Sequence, residues 1–425
     1  MSADRGRFLD AAERIGCRLC RDAVWSNGRC SWLGWAMEVH AGQWTTAFHA
    51  LGSNLYEGTS GIGLFLARLA NITGDPIVRV TAEGALAQAL TAVDRLAAGG
   101  EYGFYSGLSG IAWACREAGI LLAIEELAER GKAIVRLVGR MAPDRQRVDV
   151  MNGSAGLIPV LLDAALASQC DETLAAAVRH GEHLLNLAKR SEQGWSWDTL
   201  GLADEPHLLG FAHGASGIAY ALGTLAGPVD RPDFLAGVRG ALCYEQSLFR
   251  PEEGNWPDLR SFVQPLEGGK PPCMVAWCHG AAGVGIARLA LHKLLPNDAA
   301  IISDAEIAIR TTAPTLERSL SREAGNFSLC HGDAGNADLL ILAGDLLNRP
   351  ELRQQAEATG ARGLEQFEDL GSPWPCGVRG AGETPSLLLG LAGIGHFFLR
   401  LYDSQAVRTV LLPGQGSHEH TGTRP

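Results

Sequence analysis

The 425-residue sequence has no run of eighteen uninterrupted apolar residues, so no segment reads as a membrane-spanning helix. Its first residues, MSADRGRFLDAAERIG, lack the apolar core of a secretory signal. A cytoplasmic protein without membrane insertion is expected. Basic residues are the minority, 36 Lys and Arg against 47 Asp and Glu, and the formal charge of −11 argues against a nucleic-acid partner, whose phosphates demand a basic face. A neutral or cationic peptide is the favoured partner. Alternating β-branched runs are few, whereas Ala and Leu dominate, which points to an almost wholly helical chain. The ten cysteines follow no regular framework, so free thiols and metal ligands are expected rather than disulfides.

What the chain does contain is a repeated turn. Gly-x-x-Gly followed by an apolar run occurs at Gly58/Gly61, Gly107/Gly110, Gly153/Gly156, Gly214/Gly217, Gly280/Gly283, Gly332/Gly335 and Gly390/Gly393. GIGLFLARLA, GIAYALGTLA and GIGHFFLRL return apolar residues at three- and four-residue steps, as a helix requires. Successive copies lie 46 to 66 residues apart, room for two helices and two connections. Each repeat therefore reads as an outer helix, a loop, a glycine turn and an inner helix, giving fourteen helices in all. Glycine suits a turn with positive φ and a close approach of backbones. An all-α fold closed into an α/α toroid is favoured over an open array, because the chemically rich turns fall in different repeats and must meet. One domain is expected over residues 1–411, with a disordered tail over 412–425 (LPGQGSHEHTGTRP), where His418 and His420 read as solvent-exposed.

Two of these turns open on Cys-His dipeptides, Cys278-His279 in WCHGAAG and Cys330-His331 in LCHGDAG. Thiolates and imidazoles are favoured ligands of zinc, and two Cys with one His leave a tetrahedral corner open to substrate. An open corner predicts catalysis. Cys115, Cys170 and Cys243 lie in apolar helical contexts and read as core thiols. Cys17 and Cys20 form a C-x-x-C with no second pair to complete a metal site, and Cys376 sits on a loop between the last two turns.

Together, WCHGAAGVGIARL, SLCHGDAGN, GFAHGASGIAYAL, DVMNGSAG and CGVRGAGETPSLLLGLAGIGHFFLRL resemble the lanthionine synthetase C-like cyclases, and look closest to the cyclase half of class II lanthipeptide synthetases. The likeness runs from LYEGTSGIGLFLARLA to the last helix. It implies an α/α toroid with zinc at its centre, held by Cys278, Cys330 and His331. It also implies thioether formation, a peptide cysteine adding to dehydroalanine or dehydrobutyrine. The partners would be a dehydrated precursor peptide and a separate dehydratase, since the chain has no room for the dehydratase domain of a class II synthetase.

The chemistry sets its own requirements. A free thiol is only slightly ionised at neutral pH, and zinc coordination removes its proton. Addition to the β-carbon creates an enolate whose α-carbon must then be protonated, work suited to a histidine. His213 in GFAHGASG stands just before its glycine turn, in the register of Cys278 and Cys330, and the resemblance places the catalytic histidine there. His279 is a second candidate acid or hydrogen-bond donor. Asp149 in DVMNGSAG matches the family's acidic residue and is expected either to orient His213 or to satisfy its own turn. Asp333, two residues after His331, reads equally as support for the metal site or as a helix start. One departure stands out: Met274 occupies the position where some relatives carry an arginine, leaving Arg379 as a candidate substitute. The loop GNWPDLRSFVQPLEGGKPP, with an exposed-looking Trp256, is expected near the metal mouth. Two other readings stay open: a zinc enzyme adding a small thiol such as glutathione to dehydroamino acids, and a non-catalytic peptide-binding scaffold. The complete ligand set argues against the scaffold.

Overall fold

The computed structural model describes residues 3–414 apart from 41–42, 203–204 and 320–324. In chain order the helices are α1 (Ala3–Asp22), α2 (Thr59–Thr73), α3 (Pro76–Leu90), α4 (Val93–Ala98), α5 (Leu108–Leu121), α6 (Glu125–Gly139), α7 (Ser154–Ser168) and α8 (Asp171–Leu187). They continue with α9 (Ala215–Ala226), α10 (Pro232–Ser247), α11 (Ala281–Leu294), α12 (Ala299–Ser319), α13 (Asp333–Leu346), α14 (Pro350–Gly363) and α15 (Leu391–Tyr402). Among the described residues, strand is confined to three antiparallel hairpins: β1 (Val24–Ser26) with β2 (Arg29–Ser31), β3 (Leu33–His40) with β4 (Gln43–Ala50), and β5 (Lys189–Ser191) with β6 (Gly194–Ser196). Every glycine turn read from the sequence opens a helix, namely α2, α5, α7, α9, α11, α13 and α15. These seven are mostly apolar and buried along most of their length, whereas their partners, such as α6 with EELAERGK, carry charge on one face.

Contacts gather into two compact units. The first holds Met1–Gly99, Gly110–Gly131 and Ala313–Leu411. In it α2 packs on α3, α1 on α15 and α13 on α14. Phe327 lies at the centre of an aromatic cluster with Trp374, Phe397 and Phe398, at ring separations of 5.1 to 6.5 Å. Arg400 and Asp338 form a buried ion pair there, and Thr409 donates to the same carboxylate. The second unit holds Gly100–Ser109, Lys132–Thr312 and Leu412–Pro425. In it α7 packs on α8 and α9 on α10. Among its buried charges is Arg288, which bonds Glu245 at 2.7 Å and Asp304 at 3.0 Å. Desolvation offsets most of the attraction in such pairs, so they add little net stability.

The turns need glycine for a different reason from the one expected. The first glycine of each turn for which the cap angles are known is extended, as at Gly58, Gly153, Gly214, Gly332 and Gly390, and only Gly280 has a positive φ, of 83°. Space is the stronger constraint. A methyl group on Gly283 would lie 1.9 Å from the Trp277 carbonyl oxygen, and one on Gly335 1.9 Å from that of Leu329. The same clash, with the carbonyl six residues earlier, arises at Gly61, Gly156, Gly217 and Gly393. Gly283→Ala is therefore expected to destabilise the protein by about 1–3 kcal/mol, the usual range for overpacking. Urea unfolding would show it, and an unchanged midpoint would contradict the argument.

Of the segment 412–425 expected to be disordered, Leu412 and Pro413 are buried, and the Pro413 carbonyl accepts the Tyr220 hydroxyl at 2.7 Å. Residues 415–425, with His418 and His420, lie outside the described residues.

Candidate metal and catalytic centre

Three successive turns of the second unit are stitched together through their backbones. Val150 N–H donates to the Ala212 carbonyl at 3.2 Å, and Ala212 N–H donates to that of Cys278 at 3.4 Å. The side chains flanking these bonds are thereby brought together. His213 Nδ1 lies 2.6 Å from Asp149 Oδ2, and the other oxygen, Oδ1, accepts Asn152 N–H at 2.7 Å. An ionised carboxylate only accepts, so Nδ1 carries a hydrogen and Nε2 is the atom left for chemistry. The two readings of Asp149 are thus both realised, one oxygen for each. Its side chain is 4% exposed, against 29% for His213. Burial acts most strongly on the His213 ring and opposes its charge. The Asp149 carboxylate, through charge and hydrogen bond, and then Cys278 outweigh that and leave the pKa raised.

His279 is buried and stacks on His213 with ring centres 6.0 Å apart and planes 24° apart. Burial, then the Arg260 charge, push its pKa down to about 3, so the ring is neutral at physiological pH. Its Nδ1 lies 3.9 Å from Asp258 Oδ1, and its Nε2 has no hydrogen-bond partner among the described residues. A neutral imidazole in this state can donate a hydrogen bond, but it does not hold a spare proton.

In the first unit, Cys330 N–H donates to the Leu388 carbonyl at 2.9 Å, and Leu388 N–H donates to that of Tyr56 at 2.8 Å. This ladder brings the Tyr56 hydroxyl to the Cys330 sulfur, to which it donates at 3.0 Å. His331 Nε2 lies 3.0 Å from the Gly377 carbonyl oxygen. A carbonyl cannot donate, so Nε2 carries the hydrogen and Nδ1 the lone pair that a metal takes.

The ligand atoms of Cys278, Cys330 and His331 all lie within 4.8 Å of one another, the one such group among the described residues. Two thiolates with an imidazole of fixed tautomer fit zinc, which favours exactly these S and N donors in tetrahedral array.

Other expected residues fall elsewhere. Arg379 is exposed, and its carbonyl accepts the Thr46 hydroxyl at 3.0 Å. Met274 instead lies against Arg260, with Sδ to Nη2 at 3.6 Å. Trp256 is fully buried rather than exposed, tilted against Phe249 at 5.0 Å, because its loop folds back onto the helices. Cys115 is buried, but Cys243 is exposed and Cys170 half-buried, since each lies toward the outer face of its segment. Cys17 is exposed and Cys20 half-buried, and burial first of all pushes the Cys376 thiol up to about 12, an inert group. Asp333 is the first residue of α13, where a carboxylate suits the helix dipole. Tyr56, Asp258 and Arg260 carried no signal in the sequence, because only tertiary return of their loops brings them to the site.

Comparison with known proteins agrees with this architecture. The solved structure of nisin cyclase superposes with a TM-score of 0.57 at 20% identity, covering 83% of this chain and 91% of that one. The fold class is therefore the α/α toroid of helical hairpins. Residues 49–412 match the lanthionine synthetase C-like protein family, and the chain belongs to that family. It is also 22% identical over 382 residues to the lacticin 481/lactococcin biosynthesis protein LcnDR2 of Lactococcus lactis subsp. lactis. That match covers 86% of this chain but only 38% of the relative's length.

Proposed function

We propose that this chain is a zinc-dependent lanthipeptide cyclase, joining cysteine thiols of a dehydrated precursor peptide to dehydroalanine or dehydrobutyrine as (methyl)lanthionine rings. The observation that carries the reading is the imidazole of His213, its tautomer set by the buried Asp149, on the turn bonded to that of Cys278. Cys278, Cys330 and His331 would hold the metal. Zinc bound there lowers the pKa of a coordinated thiol, so that its sulfur is nucleophilic at neutral pH. As sulfur bonds to the β-carbon, the π pair moves onto the adjacent carbonyl oxygen. His213 Nε2 then delivers a proton to the α-carbon, the enolate returns to carbonyl, and Asp149 stabilises the imidazolium beforehand. The proton shed by the thiol balances the one delivered. Neutral His279 would donate to the carbonyl oxygen. Tyr56, bonded to Cys330 Sγ, limits the charge on that ligand. The peptide is supplied by a separate dehydratase in this reading, and no described helix is long and apolar enough to cross a membrane.

The test is incubation of the zinc-loaded protein with a dehydrated, cysteine-containing peptide, followed by thiol alkylation and mass spectrometry. Loss of alkylatable cysteine without change in peptide mass, faster than in buffer alone and with one stereochemistry, is expected. Addition of glutathione to the same peptide, with no ring, would favour the small-thiol transferase instead. Tight peptide binding with neither product would favour a scaffold.

A further inference from the structure

The loop between α10 and α11 returns a charged pair to the neighbourhood of the two histidines. Asp258 is completely buried in its side chain and Arg260 is 19% exposed. The guanidinium grips the carboxylate through Nη2 at 2.6 Å and Nε at 2.9 and 3.2 Å. Asp258 N–H donates to the Pro272 carbonyl at 2.8 Å, and Arg260 N–H donates to Asp258 Oδ1 at 3.2 Å, so the loop is held at both residues. The carboxylate faces His279 Nδ1 at 3.9 Å, and the guanidinium lies 3.6 Å from Met274 Sδ.

A loop staple alone does not account for this placement. The pair is set against His279, whose ring stacks on that of His213 at 6.0 Å, so the guanidinium is held on the carboxylate that faces the two histidines. A cation so placed stabilises negative charge that develops nearby. The enolate is such a charge. The buried Nε2 of His279 has no partner among the described residues, so a ligand atom there would complete its hydrogen bonding.

We propose that Arg260 is a catalytic residue of the cyclisation, its guanidinium holding the carbonyl oxygen of the dehydroamino acid while sulfur adds to the β-carbon. This rests on the cyclase reading given above. The carbon–sulfur bond forms as the carbon–carbon π bond breaks; the pair rests on the oxygen beside Arg260 until the α-carbon takes the proton from His213. Arg260 neither gains nor loses a proton.

The experiment compares wild type, Arg260→Gln and Arg260→Lys, each zinc-loaded, on a dehydrated cysteine-containing peptide. Zinc per chain, thermal midpoint and affinity for the undehydrated peptide are measured alongside. Arg260→Gln should lower kcat by about 10²–10³, the usual cost of losing one donor to a developing oxyanion. Zinc content, thermal midpoint and peptide affinity should stay at wild-type values, and Arg260→Lys should restore part of the rate. A kcat for Arg260→Gln within about threefold of wild type overturns the proposal. So does a rate loss matched by loss of zinc or thermal stability, which is the signature of a staple. Absence of ring formation by wild type overturns the cyclase reading itself, a result distinct from either.

Discussion

Cys330→Ala should release most of the bound zinc and, with it, cyclase activity. Cys330 is 4% exposed, so no other solvent-facing ligand replaces its sulfur without rearranging the turn. Structural zinc sites bind with ~10–16 kcal/mol in all, so losing one of three protein ligands removes roughly a third and weakens affinity by about 10²–10⁴. Metal analysis after dialysis reads this directly. The matched control is Cys376→Ala, which deletes another buried thiol and should retain one zinc per chain. Circular dichroism should stay helical in both, because Cys330 and Cys376 both lie outside the helices. Full zinc occupancy in Cys330→Ala would remove Cys330 from the ligand set, and equal loss from both variants would point to unfolding instead.

The repeat architecture was legible because it is local: a glycine pair, then an apolar run, announces each inner helix, and all seven begin where the sequence places them. The reason for the glycines was half legible. Positive φ is confined at these first positions to Gly280, whereas the carbonyl six residues before the second glycine, which crowds it in six of the turns, needs knowledge of how the turn folds back. Site residues that sit beside a glycine turn, such as His213, Cys278 and Cys330, could be read from register. Residues delivered by long loops could not. Asp258 and Arg260 lie in a Pro- and Gly-rich stretch whose sequence says only that it is irregular, and Trp256, two residues earlier, looks exposed for the same reason. Arg379 and Arg260 are both loop arginines in the sequence, and only the path of the chain separates the exposed one from the one beside Met274. The pairing of Asp149 with His213 was readable as a choice between two roles, and two carboxylate oxygens let both be filled.

His213→Asn should slow cyclisation by about 10²–10⁴, the contribution of a positioned acid or base, while zinc content remains at the wild-type level. The separation follows from position: His213 is bonded to Asp149 and supplies none of the atoms in the Cys278, Cys330 and His331 group. Asp149→Asn should lower the rate too and leave the metal in place. Its amide can still accept Asn152 N–H, but an amide N–H facing Nδ1 would reverse the tautomer and remove the charge that favours imidazolium. The sign of the pH effect follows. Asp149 raises the His213 pKa, so wild type keeps its acid protonated to higher pH, and in Asp149→Asn the fall in rate with rising pH should begin earlier. Rates need correction for the uncatalysed addition of thiol to dehydroalanine, and ring stereochemistry must be checked, since background addition is not controlled by the site. Should His213→Asn form rings at wild-type speed and with a single stereochemistry, the α-carbon must take its proton from another group. The ring stacked 6.0 Å away, His279, is neutral and holds no spare proton, so that group would be solvent or another acid.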